Sequence, residues 1–123
     1  MNQSSKRILV VEDEASVRGL IDRILRRSGY AIETASDGQE GLEKLRADDY
    51  DLVISDIVMP RMKGTEMVRE LRKENEALPV IFVTGYPQDD SFSLGDRDKL
   101  LLKPFKQQDL NDMVHDALMD DCA

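Results

Sequence analysis

Five polar residues stand directly after short apolar runs: Glu12 and Asp13 after "RILVV", Asp56 after "DLVIS", Thr84 after "PVIFV" and Lys103 after "LLL". If the runs are neighbouring strands, three acids, a hydroxyl and an amine meet at one rim. Crowded carboxylates raise one another's pKa unless a cation intervenes, and a divalent metal together with Lys103 would neutralise Glu12, Asp13 and Asp56. Hard oxygen donors favour Mg²⁺, and the chain offers neither thiolates nor a suitably placed imidazole for zinc. Cys122 is the single cysteine, one residue from the end, and the single histidine, His115, reads as a surface residue of the last helical pattern. A carboxylate beside Mg²⁺ and a lysine can act as a nucleophile toward a phosphoryl group and form an acyl phosphate. The metal, the amine and the threonine hydroxyl would then face the phosphoryl oxygens. Asp56, in "VISDIVMP", is the candidate nucleophile, because a carboxylate ending a buried strand loses hydration and needs a partner in return. Taken singly, each of these residues is also ordinary turn or cap chemistry; their recurrence at one strand end carries the argument.

The elements that must position them alternate in kind. Residues 7–11, 30–34, 51–55, 79–83 and 100–102 are short, apolar and mostly β-branched, which suits five buried strands. Between them lie helical stripes. Val17, Leu20, Ile21, Ile24 and Leu25 mark the first, with Gly29 as its stop. Leu42 and Leu45 mark a second, opened by "SDG" at 36–38. Met67, Val68 and Leu71 mark a third, with Thr65 as its expected cap. Leu110, Met113, Val114, Ala117 and Leu118 mark the last, with Asp109 near its start favouring the helix dipole. Strands alternating with helices predict an α/β fold, a doubly wound parallel sheet with helices on both faces. In such sheets ligands sit outside the carboxyl ends of the strands, where the strand order reverses. The five polar residues fall at that edge.

The 123 residues suit a single domain, 1–123, with one core. No run approaches the about 20 apolar residues of a membrane span, and "MNQSSKR" lacks the apolar segment of a signal peptide. A cytoplasmic protein without membrane contact is expected. The formal net charge of −8 repels nucleic acid phosphates, and no basic stripe compensates, so direct nucleic acid binding is not expected.

Four segments, "VVEDE" (10–14), "DIVMP" (56–60), "VTG" (83–85) and "KPF" (103–105), in this order and spacing, resemble the receiver domain of two-component response regulators, the CheY-like superfamily. The resemblance covers nearly the whole chain. It implies a flavodoxin-like five-stranded sheet in the order 2-1-3-4-5. It makes Glu12 and Asp13 the acidic metal pair, Asp56 the phosphoacceptor, and the backbone carbonyl of Val58 a further Mg²⁺ ligand. Thr84 and Lys103 would contact the phosphoryl group. Pro104 matches the partner in a cis peptide bond that holds the lysine inward, and Val58 and Tyr86 match positions that modulate hydrolysis of the phosphoryl group. The implied partners are a histidine kinase or phosphotransfer protein and an unknown output protein or domain. The implied role is regulatory rather than that of a substrate-processing enzyme.

Two features depart from the pattern. Leu100 stands where most receivers carry a switching Tyr or Phe, and "GYPQDDSFSLGDRDK" (85–99) has no apolar stripe for a full helix. A short or disordered helical unit is therefore expected between the last two strands, with residues 86–97 mobile and the output surface altered. Two other functions compete. A phosphatase with an aspartate nucleophile needs a second acid two residues later, where Val58 stands. A phosphorylation-independent docking module, a pseudo-receiver, keeps the pocket without the switch. Flavin binding is disfavoured by the acidic first loop, which lacks a glycine-rich phosphate cradle.

Overall fold

The computed structural model describes residues 6–59, 62–75, 77–85 and 97–120. Five strands form one parallel sheet: β1 (Arg7–Val11), β2 (Ala31–Ala35), β3 (Leu52–Asp56), β4 (Val80–Thr84) and β5 (Asp98–Leu102). Their order is β2-β1-β3-β4-β5, as expected, with the reversal between β1 and β3. Among the described residues four helices accompany them: α1 (Ala15–Arg27), α2 (Gly38–Ala47), α3 (Gly64–Arg72) and α4 (Gln107–Asp120). None is long and apolar enough to cross a membrane.

Alternation along each strand divides the core into two layers. Ile8 and Val10 face Ile21, Leu25, Leu110 and Val114 of α1 and α4. Leu9 and Val11 face Leu42, Met67 and Leu71 of α2 and α3. Both sheet faces are covered, which is why the central strands read as unbroken apolar runs. The methionine and leucine stripes are thus mostly core, except that Leu20, on the flank of the α1 stripe, is left 43 % exposed.

Local chemistry fixes the helix ends. Past α1, Gly29 has φ 99°, and its N–H donates to Arg26 O while Tyr30 N–H donates to Leu25 O. This paired closure needs a left-handed residue, which glycine supplies without steric cost. At α2, the Asp37 carboxylate accepts the Glu40 N–H at 2.8 Å, and Glu40 in turn accepts from Ser36 N–H at 2.8 Å. The expected Thr65 cap is corrected: Thr65 lies inside α3, whose cap position is Lys63, because Glu66 reaches back to accept the Lys63 N–H at 3.1 Å. At α4, Asp109 accepts from Lys106 N–H.

Three strands run one residue past their expected ends, so Asp56 and Thr84 are the last strand residues, paired in register with Val83 and Leu102. β5 begins at Asp98, two residues early. The Arg72 guanidinium holds Asp98 at 2.5 Å and also donates to Leu78 O, tying the end of α3 to the start of β5. The mobile or shortened unit expected between β4 and β5 falls on residues 86–96, outside the described residues.

Gly41 marks a close approach of α2 to the sheet: a Cβ there would sit 2.8 Å from both Met67 Sδ and Val11 Cγ2. Gly19 of α1 has room, its nearest neighbour being the end of Arg23 at 3.9 Å. Gly41→Ala is expected to destabilise the fold by about 1–3 kcal/mol through overpacking, whereas Gly19→Ala is expected to stabilise it by about 0.5–1 kcal/mol. Urea unfolding of the two variants checks this; a shift of the same sign in both would contradict the packing described.

Candidate functional site

The polar residues do meet at the carboxyl ends of the strands. β1 continues its pairing past Val11, the Glu12 N–H donating to Ala35 O at 3.0 Å. This carries the Glu12 side chain into the interior, where it is 1 % exposed. Its Oε2 accepts from Glu14 N–H at 3.1 Å, and its carbonyl oxygen accepts from the Arg18 guanidinium at 2.8 Å. Asp13, next along, stays exposed at the rim. Asp56 ends β3 and is 8 % exposed. Its Oδ1 accepts from Val58 N–H at 3.2 Å, which fixes the carboxylate plane from one side.

Lys103 closes the cluster from the far edge. Its N–H donates to Thr84 O at 2.7 Å, extending the β4–β5 ladder by one bond. Its ammonium lies 3.2 Å from Glu12 Oε1 and 3.2 Å from Asp56 Oδ2. The peptide joining Lys103 to Pro104 is cis, as the resemblance implies. Thr84 is buried at the end of β4. Asp13, Asp56, Thr84 and Lys103 border an open cleft of about 410 Å³, whose remaining lining comes from Glu14, Val58 and Gly85.

Burial and crowding set the charges. Glu12 is pushed up to about 7, first by loss of hydration and further by the Asp56 carboxylate, against the opposing pull of the Glu14 N–H and Lys103. Lys103 is held above its ordinary value: burial disfavours its charge, but the Glu12 and Asp56 carboxylates outweigh that. Oxygen atoms of Glu12, Asp13 and Asp56 lie within 4.8 Å of one another. Three carboxylates against one ammonium leave a negative excess that a dication would cancel. The all-oxygen donor set fits Mg²⁺ rather than a softer metal.

Other expectations resolve differently. Leu100 does not join the cleft; it pairs with Phe82 and packs, half-buried, against the α2 and α3 layer. His115 is exposed, as expected. Tyr86 lies outside the described residues. Sequence reasoning missed the support behind Asp56. Ser55 Oγ donates to Asp56 O at 2.8 Å, and Gly64 N–H donates to Ile57 O at 3.0 Å. A Cβ on Gly64 would overlap the Asp56 carbonyl oxygen, so only glycine lets α3 begin against the end of β3. In the sequence Gly64 is merely a glycine before a helical stripe, and nothing in that pattern signals close contact.

Known proteins share this fold. Residues 8–115 match the family described as the response regulator receiver domain. The transcriptional regulatory protein PhoP of alkaline phosphatase synthesis in Bacillus subtilis is 35 % identical over 113 residues, 89 % of this chain and 47 % of that protein. The chain thus spans about half the length of the curated relatives it matches. A CheY-like receiver domain protein from Methanospirillum hungatei superposes with a TM-score of 0.90 at 32 % identity, covering 96 % of this chain and 97 % of that one. The response regulator protein TrrA of Thermotoga maritima, solved in complex with Mg²⁺ and BeF, gives 0.83 at 38 % identity, covering 92 % and 99 %. Matched across most of its length in sequence and fold, and carrying the acid pair, the strand-end aspartate and the lysine at one rim, the chain belongs to the response regulator receiver domain family.

Proposed function

We propose that the described residues form one receiver domain in which Asp56 accepts a phosphoryl group from a histidine kinase or phosphotransfer protein in a Mg²⁺-dependent reaction. The observation that carries this reading is the Lys103 ammonium shared, at 3.2 Å each, between Glu12 and Asp56 at the floor of the cleft. Lys103 neutralises part of the acid cluster and is placed to follow an oxygen of the phosphoryl group once it sits on Asp56. The Val58 N–H bond leaves Asp56 oriented, which lowers the entropic cost of attack. Glu12, Asp13, Asp56 and the carbonyl of Val58 would hold Mg²⁺. When bound, the ion supplies charge neutralisation for the phosphoryl oxygens. Thr84 would donate its hydroxyl to the phosphoryl group.

The role is regulatory. Val58, 55 % exposed, stands where an aspartate-nucleophile phosphatase needs its second acid, and an aliphatic side chain cannot protonate a leaving group. Val58 and Tyr86 would instead modulate access of water to the phosphorylated site. Leu100 has no hydroxyl to place and packs against the α2 and α3 layer. A switch through it would act by repacking rather than by aromatic rotation, altering the face presented to an output partner. Operation in the cytoplasm, without direct contact to nucleic acid or membrane, accords with this role.

Incubation with acetyl phosphate and Mg²⁺ is expected to add one phosphoryl group to the wild type and none to Asp56→Asn, with Lys103→Ala slowed by about tenfold or more. Intact-protein mass spectrometry reads the outcome. Failure of the wild type to react, with Mg²⁺ bound, would favour the phosphorylation-independent docking module. Mg²⁺ affinity has a predictable pH dependence. Glu12 takes up a proton as pH falls through about 7, and a protonated carboxyl binds Mg²⁺ poorly, so affinity should drop between pH 8 and 6. Calorimetric titration should find that drop reduced in Glu12→Gln; an identical slope in both proteins would assign the dependence to another group.

A further inference from the structure

Ser55 carries the one hydroxyl of β3, and that hydroxyl has no part in the chemistry above. It shares the sheet face of Val53, where the apolar α2 and α3 layer packs, and it is 0 % exposed. A Cβ on Gly64 would lie 2.8 Å from its Oγ, so the position demands a small residue. Alanine would meet that demand equally well. A hydroxyl placed in an apolar layer is unfavourable unless it is bonded, and the bond that Ser55 makes is to its neighbour, Oγ donating to Asp56 O at 2.8 Å.

Two peptide planes separate Asp56 from Val58, and each is pinned through its carbonyl oxygen. Ser55 Oγ holds the first at Asp56 O, and Gly64 N–H holds the second at Ile57 O, at 3.0 Å. Together the planes set where the Val58 N–H points, and that N–H donates to Asp56 Oδ1 at 3.2 Å. On the other side the Lys103 ammonium lies 3.2 Å from Oδ2. Lys103 ends a flexible alkyl chain and can follow the carboxylate; the Val58 N–H is backbone and cannot. We propose that Ser55 is a positioning residue for Asp56, its hydroxyl fixing the peptide that follows the aspartate and so aiming the Val58 N–H at Oδ1. The proposal rests on the reading of Asp56 as acceptor. Ser55 is not among the residues that line the cleft, so it acts only through the backbone of Asp56.

In Ser55→Ala the first plane loses its pin while the space it occupies stays filled. The carboxylate then visits orientations in which Oδ1 has no partner, and the orientation from which it attacks is held for a smaller share of the time. Loss of a bond to a charged acceptor is worth about tenfold in that share.

The experiment compares wild type, Ser55→Ala and Ile54→Val, the last a mild loss of packing on the same strand that leaves both pins in place. NMR hydrogen exchange of the Val58 amide reads the orientation, referenced to the Val53 amide, which donates to Pro79 O at 3.1 Å within the sheet. Intact-protein mass spectrometry of the reaction with acetyl phosphate, at saturating Mg²⁺, reads the chemistry. Ser55→Ala should speed Val58 exchange by about tenfold relative to Val53 and slow the modification by a similar factor. Ile54→Val should leave both readouts at their wild-type values. An unchanged Val58 ratio in Ser55→Ala, or faster exchange with an unchanged rate of modification, would overturn the proposal. Equal effects in the two variants would overturn it as well, since the hydroxyl would then serve stability alone. If acetyl phosphate does not modify wild type at Asp56, the reading of Asp56 fails and the proposal with it, a result told apart because it appears before any substitution is made.

Discussion

The shared contact of one ammonium with two buried carboxylates is the constraint around which the rest of this structure is arranged. Lys103 comes from the loop after β5, Asp56 from the end of β3 and Glu12 from the end of β1, and the three meet only because the strands are parallel and in register. Parallel pairing brings every strand's carboxyl end to the same edge. Helix layers cover both faces, so buried polar groups of the strands reach solvent at the sheet's edges, and these three do so at the carboxyl edge. Burying these charges is costly, and the contacts offset it only in part. The displacement of Glu12 toward about 7 expresses that imbalance. A site holding more negative charge than its own lysine can neutralise is poor for stability and well suited to a dication and a phosphoryl group.

Much of this is legible in the sequence because burial on both sheet faces writes the strands as apolar runs, and a polar residue after such a run marks a strand end. Glu12, Asp13, Asp56, Thr84 and Lys103 could be placed at one rim on that basis. Strand limits were less legible: pairing of Asp56 with Val83 and of Thr84 with Leu102 extends the ladder through polar residues that composition assigns to loops. β5 starts early because Arg72 and Asp98, 26 positions apart, form an ion pair that no local pattern announces. Gly64 was illegible for the same reason. Its necessity lies in a contact with the Asp56 carbonyl, and only the packed structure shows it.

The departures from the family pattern concentrate on the β5 side of the molecule. Leu100 directs its bulk to the α2 and α3 layer, while Leu102 on the same strand is 53 % exposed. The acidic half of the site is conventional in its residue types, and its support from Ser55, Gly64, Arg18 and Glu14 is extensive. On the proposed reading, acceptance of a phosphoryl group would depend on a rim fixed by four strand ends, and its transmission on how β5 and its neighbours pack.

Reduction of the phosphorylated protein with borohydride, followed by peptide mass spectrometry, tests the assignment of the acceptor most directly, because an aspartyl phosphate is reduced at its own carbonyl carbon and marks its position. Convergence of Lys103 and Glu12 on Asp56 requires the mark at position 56 alone, dependent on Mg²⁺. A mark on any other acid, or modification that persists without a divalent ion, would contradict the function assigned to this cleft.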